Sequence, residues 1–247
     1  MDHDVYRRMA EIQDRHWWYE GRREILATII GRLNLPPSIR ILEAGCGPGA
    51  NLKMLSHFGE VSAFEPDDFA INYCREHSGI PQERLGTGFL PAPIPFSEPF
   101  DIVGAFDVIE HVDADLESLK ALCQLTKPGG YALFTVPAYQ FLWSQHDVVN
   151  HHKRRYVRGD FAALLKSAGY NVNYISYYNT VLFPAVVAVR FLKKILKLQD
   201  KPDEALPRLD IINHLLRLIF TAEKFLLGHV PLPFGVSIIA ICQRPGA

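Results

Sequence analysis

The stretch Ile39-Arg40-Ile41-Leu42-Glu43-Ala44-Gly45-Cys46-Gly47-Pro48-Gly49-Ala50-Asn51-Leu52 decides how this chain folds. An apolar run, Ile39 to Ala44, stops at glycines on alternate positions, Gly45, Gly47 and Gly49. Apolar residues at helical spacing resume at Leu52 and Leu55. The pattern predicts a buried strand, a tight turn and a helix start, the opening of a nucleotide-binding α/β unit. Glycine belongs in such a turn because unusual backbone angles are needed and a ligand must lie against bare main chain. Glu43, at the strand end, is set to meet a cationic or hydrogen-bond-donating ligand.

Gly45, Gly47 and Ala50 also satisfy the dinucleotide fingerprint, with the acid Glu65 about twenty residues on. Two features weigh against that reading. A pyrophosphate would face Glu43 unfavourably, whereas a sulfonium and an ammonium would not. No later segment supplies a second mononucleotide half. Further along, Val61 to Phe64 forms a second strand ending at Glu65, where a carboxylate can accept both hydroxyls of a ribose lying over the first turn. Asp67 or Asp68 then caps a helix carrying Ala70, Ile71 and Cys74.

The chain has 247 residues, enough for one large domain with an insertion. Its net charge of -1 and lack of long basic runs argue against a nucleic-acid partner. Cys46, Cys74, Cys123 and Cys242 have no metal spacing and suit a reducing, cytoplasmic compartment. The uncharged stretch from Ser167 to Val189 contains Gly, Asn and Ser and does not read as a membrane span. Residues 1–37 read as a helical cap, in which His16-Trp17-Trp18-Tyr19 could close over a ligand. Arg22 or Arg23 could reach that ligand's carboxylate, which makes Arg23 a candidate cofactor-binding residue.

ILEAGCGPGANL, the acid of AFEPDD, FDIVGAFDVIEHV and LTKPGGYALFTVP together resemble the class I S-adenosylmethionine-dependent methyltransferases. The resemblance covers most of Ile39 to Pro137. It implies a Rossmann-like seven-stranded sheet in order 3-2-1-4-5-7-6 with strand 7 antiparallel. It also implies S-adenosyl-L-methionine as cofactor, Gly45, Gly47 and Gly49 under its methionine part and Glu65 on its ribose. Gly88 and Phe89 fall where the family contacts adenine, although the acid often found there is missing. Asp107 follows the fourth strand, Phe100 to Phe106, in the region that lines the transfer site. Asp107, Glu110 and His111 bring three ligand groups close together, which a later histidine could complete to a magnesium or zinc site. They resemble a cluster with glutamate at the first position in some relatives, the quinone-ring O-methyltransferases among them. The first acid is shorter here, and no metal is expected.

After the fifth strand comes a loop holding His146, Asp147, His151, His152, Arg154 and Arg155. His152, His146 and Asp147 are the candidate bases for an acceptor hydroxyl. With the early HWWYEGRR run, this loop resembles a bacterial subgroup associated with cell-surface glycans or lipid-linked sugars. The core is expected over 38–179 and 236–247, with a helical lid over 180–235. In the lid, Arg190, Lys193, Lys194 and Lys197 form a basic stripe beside a wide apolar surface. That surface could line a channel, rest on a membrane through 181–228, or form a homodimer. The expected function is methyl transfer to oxygen or nitrogen of a small-molecule or lipid-linked acceptor. The alternatives are a non-catalytic cofactor-binding protein and a metal-assisted O-methyltransferase of a quinone- or phenol-like acceptor.

Overall fold

The computed structural model describes residues 3–196 and 210–246. Lys197 of the expected basic stripe lies outside the described residues. Strand β1 (Ile39–Ala44) runs parallel between β2 (Gly59–Glu65) and β4 (Phe100–Phe106). Adding β3 (Leu85–Thr87), β5 (Thr126–Pro137), β6 (Asn171–Tyr178) and β7 (Ser237–Gln243) completes a seven-stranded sheet, order β3-β2-β1-β4-β5-β7-β6. Strand β7 is antiparallel to both neighbours. The order expected from the resemblance is the order observed.

The central strands read as continuous apolar runs because both faces are covered. One face packs on α5 (Asp115–Leu125) and α7 (Arg158–Ser167) through Leu119, Leu122, Phe161 and Leu165. The other meets α2 (Trp17–Ile30), α3 (Leu52–Leu55) and α4 (Asp68–His77) through Ile25, Leu26, Leu55 and Ile71. Asp67 is the residue that caps α4, its Oδ1 accepting from the Ala70 N–H at 2.9 Å. The fifth strand begins earlier than its apolar run suggests, because Thr126 pairs with Phe100 before a register shift.

Beyond β6 come α8 (Phe183–Ile195) and α9 (Asp210–Thr221). The Phe220 ring of α9 fits against Gly21 of α2, where an added Cβ would lie 2.5 Å from Phe220 Cδ1. Asn213 accepts from the Trp17 N–H at 2.9 Å, and Lys224 pairs with Glu24 at 3.1 Å. The buried Glu223 carboxylate accepts from the Asn179, Thr180 and Val181 N–H groups at 2.7, 2.6 and 3.0 Å, pinning the exit from β6. Helix α8 contrasts with α9: none of its described side chains is buried.

Candidate active site

A cavity of about 880 Å³ lies across the carboxyl ends of β1, β2 and β4, the crevice where ligands of open α/β sheets collect. Gly45 and Gly47 form its floor with φ of +68° and +54°. A Cβ on Gly45 would approach Val108 to 2.7 Å, while one on Gly47 would project into the cavity, 3.8 Å from Met9 Cε. Gly49, at φ +90°, serves packing instead: its Cβ would lie 2.9 Å from Cys74 Sγ, and it does not line the cavity.

Glu65 is buried at the cavity wall. Its Oε2 accepts from the Gly47 N–H at 2.9 Å and its Oε1 from the Tyr6 hydroxyl at 2.8 Å. Burial raises its pKa against the opposing pull of these bonds. Tyr6 comes from α1 (His3–Ile12), so the first helix reaches the end of β2. Glu43 is not on the wall. It lies behind the glycine turn, accepting from Asn51 Nδ2 at 2.7 Å, and burial pushes its pKa up to about 7.

Asp107 follows β4 with φ +59° and lines the cavity, bound to the guanidinium of Arg22. Arg22 is buried, its Cζ 4.3 Å from the Trp18 ring centre. Arg23 points elsewhere, donating to the Gln13 and Ala50 carbonyls at 2.7 and 3.3 Å. Of the two arginines, Arg22 is therefore the one at the cavity, because helix α2 turns that face inward. Gly88 and the half-exposed Phe89 also line the wall.

Opposite lies a second constellation. Asp147 sits fully buried in α6 (Gln145–Val149). Its carboxylate accepts from Arg155 Nε at 2.7 Å and Nη2 at 3.1 Å, and from the Ser144 N–H at 2.8 Å. His152 Nδ1 lies 2.9 Å from its Oδ1. Burial alone would raise the Asp147 pKa, but bonds from His152 and Arg155 hold it well below the usual carboxylate range. An ionised Asp147 accepts, so Nδ1 of His152 carries the proton and Nε2 is left as the basic nitrogen. His146 lies in the same group, its ring centre 5.8 Å from that of His152.

Beside them Glu110 is fully buried, and neither of its oxygens has a hydrogen-bond partner among the described residues. Burial, then the neighbouring Asp107, raises its pKa well above the usual value. Burial, with His152 adding to it, pulls His111 down to about 3. Glu110, His111 and His152 offer ligand atoms all within 4.8 Å of one another, a group able to hold a divalent cation. Asp107 is not part of this group, being held by Arg22, while Glu110 and His111 are joined by a later histidine, His152.

The mixed seven-stranded sheet with its antiparallel β7, the glycine turn and the acid closing β2 define the class of S-adenosylmethionine-dependent methyltransferases. A family described as Methyltransferase domain matches residues 15–175, and the chain belongs to it. An uncharacterized methyltransferase of Schizosaccharomyces pombe is 35% identical over 107 residues, covering 37% of each chain. A ubiquinone biosynthesis O-methyltransferase of Methylobacterium nodulans is 29% identical over 97 residues, covering 38% of this chain and 39% of that one. The chain thus spans about two fifths of the length of these curated relatives. Among solved structures, an S-adenosylmethionine-dependent methyltransferase from Clostridium acetobutylicum superposes with a TM-score of 0.61 at 13% identity, covering 92% of each chain. YcgJ from Bacillus subtilis gives 0.59 at 14%, covering 92% of this chain and 100% of that one. These two likenesses show the fold.

The residues suit this cofactor chemically. The turn presents bare backbone to the cavity at Gly47, Glu65 offers a buried carboxylate that could accept from hydroxyls, and Arg22 and Asp107 place one positive and one negative charge beside the turn. Tyr6 and Met9 were not singled out from sequence, and nothing in the sequence of α1 marks them as facing the cavity.

Proposed function

We propose that this protein transfers a methyl group from S-adenosylmethionine to an oxygen or nitrogen of an acceptor lying between Asp107 and His152. When bound, the cofactor supplies an activated sulfonium methyl. The chain's own work is then to orient, to exclude water and to move a proton. Orientation of two reactants can contribute about 7–11 kcal/mol. Glu65 accepts ribose hydroxyls, and Arg22 faces the carboxylate of the methionine part. For a hydroxyl acceptor, His152 removes the proton at Nε2 while Asp147 holds the ring and balances the imidazolium charge. The observation that carries this reading is the 2.9 Å contact between His152 Nδ1 and a buried Asp147 that is also fixed by Arg155. Partial similarity to ubiquinone biosynthesis O-methyltransferases supports oxygen as the atom methylated.

Glu110, whose oxygens have no hydrogen-bond partner among the described residues, favours one second reading. A divalent cation on Glu110, His111 and His152 would lower the pKa of the acceptor hydroxyl, with Asp147 orienting His152 from behind.

The test is cofactor turnover with a panel of phenol, sugar and lipid acceptors. His152→Ala should lower kcat by about 10²–10⁴-fold with little change in cofactor affinity. Unaltered kcat sinks the base assignment. Activity that survives EDTA supports the base; activity lost with EDTA and restored by magnesium supports the metal reading.

A further inference from the structure

Helix α8 turns one regular stripe to the cavity. Leu182, Ala185, Val186, Val189, Arg190 and Lys193 line it, at i, i+3, i+4, i+7, i+8 and i+11. The first four positions are apolar. Leu182 packs partly on the core at the helix start, while Ala185, Val186 and Val189 belong to neither core cluster. A soluble helix ordinarily lays its apolar stripe on a sheet or a second helix. This one lays it on the cavity, so its side chains meet what the cavity holds. Leu216 of α9 and Trp17 and Trp18 of α2 line the same space. The stretch is not a membrane-spanning helix, since no described helix is long and apolar enough to be one.

The basic end of the stripe fixes its direction. Arg190 Nη1 lies 4.0 Å from Asp147 Oδ2, and the other oxygen of Asp147 is 2.9 Å from His152. The apolar positions therefore begin within a turn of the residue that anchors the proposed base, and they run away from it. From Arg190 back to Leu182 the helix rises about 12 Å. The cavity, at about 880 Å³, has room for an acceptor beside the cofactor.

The wall also selects by chemistry. Alanine, valine and leucine side chains offer neither donor nor acceptor. A sugar carries a hydroxyl on nearly every carbon, and each one laid here would give up water with nothing in exchange. An alkyl or ring carbon laid here gains by leaving water.

We propose that this stripe determines acceptor specificity, and that the acceptor is a hydroxyl compound with its hydroxyl at His152 and an apolar body, about 12 Å long, along Val189, Val186 and Leu182. The place of the hydroxyl rests on the methyltransferase reading above. The apolar wall does not, and binding alone tests it.

The experiment is titration calorimetry of the full chain, with and without S-adenosylhomocysteine, against phenol and its 4-ethyl, 4-butyl and 4-hexyl derivatives. Wild-type affinity should rise at least about tenfold from 4-ethylphenol to 4-hexylphenol, because one buried methylene is worth a factor of about three to four. Val186→Ser/Val189→Ser should cut that rise to about twofold or less, and Leu216→Ser, from the other helix, should reduce it too. Unchanged melting temperatures show that these variants fold. Phe191→Ser/Leu192→Ser alters side chains that are 66 and 56% exposed and do not line the cavity, so it should bind the series as wild type does. A wild-type affinity that ignores tail length overturns the proposal. So does a rise that survives Val186→Ser/Val189→Ser, or one that Phe191→Ser/Leu192→Ser removes, because the tail would then lie elsewhere. Tail-dependent binding without methyl transfer to any of the phenols would instead count against the methyltransferase reading and leave the apolar wall standing.

Discussion

At the scale of single residues, two carboxylates make opposite demands. Glu65 ends its strand at the cavity, and Glu65→Gln keeps its size while removing its charge. Two ribose hydrogen bonds to an ionised acceptor would be weakened, each worth about 1.5–3 kcal/mol, so titration calorimetry should show cofactor affinity falling at least tenfold. Unchanged affinity would move the ribose elsewhere. Glu43 is different: it is buried with one amide partner, and its pKa rises to about 7 in the folded state. A raised folded pKa gives stability that is complete below the unfolded value near 4.5 and is lost as pH rises through 7. Glu43→Gln keeps the Asn51 bond and removes the charge. Its stability relative to wild type should therefore rise between pH 5 and pH 8, by about 2–3 kcal/mol in urea unfolding. Taking the difference between variant and wild type cancels His111, whose lowered pKa makes stability rise with pH over part of the same window. The sequence showed Glu43 to be beside the glycines because spacing fixes that. Whether a side chain faces the turn or the core behind it depends on the strand's facing and on Asn51, which spacing does not reveal.

At the scale of elements, periodicity carried most of the fold. The runs Ile39 to Ala44 and Phe100 to Phe106 are buried on both faces and could be little but central strands. The glycine turn, a cap at Asp67 or Asp68 and the helical character of the lid were legible for the same local reasons. What stayed hidden was long-range. Tyr6 meets Glu65, Arg22 meets Asp107, and Glu223 meets the backbone after β6, all across large sequence separations. A polar side chain gives no periodic sign of a partner so far away, and the choice between Arg22 and Arg23 turned on which face of α2 met the sheet. Glu223 shows the consequence of one such contact. Glu223→Ala leaves three N–H groups without their acceptor, two of them among partly buried atoms. The expected loss is about 2–4 kcal/mol, read from denaturant unfolding. Limited proteolysis should meanwhile open a new cleavage site near Thr180. A variant as stable and protease-resistant as wild type would mean the insertion is held by α9 on α2 alone.

At the scale of the whole molecule, the cavity joins parts that share little else. Its floor belongs to the sheet, one wall to α1 and α2, and its outer rim to α8. A ligand that touches the floor and the first wall should stabilise those parts together. Helix α1 is tied to the sheet by the Tyr6–Glu65 bond and by Arg7, whose Cζ lies 5.6 Å from the Phe69 ring centre. Met9 faces Gly47 from the same helix. Cofactor binding at this floor therefore predicts a particular pattern. At a hundredfold excess over Kd, the gain in stability is about 2.7 kcal/mol. For a chain of this size that raises the melting temperature by roughly 5–10 °C. Hydrogen exchange should slow in α1, in the glycine turn and in the first half of α2, because opening any of them would break contact with the ligand. It should change little in α8, whose described side chains are not held in the core. Protection confined to the sheet, with α1 exchanging as before, would mean that Tyr6 and Met9 leave the cavity when the cofactor arrives. In that case the ribose would take the position on Glu65 that Tyr6 holds, and Tyr6→Phe should tighten cofactor binding rather than weaken it.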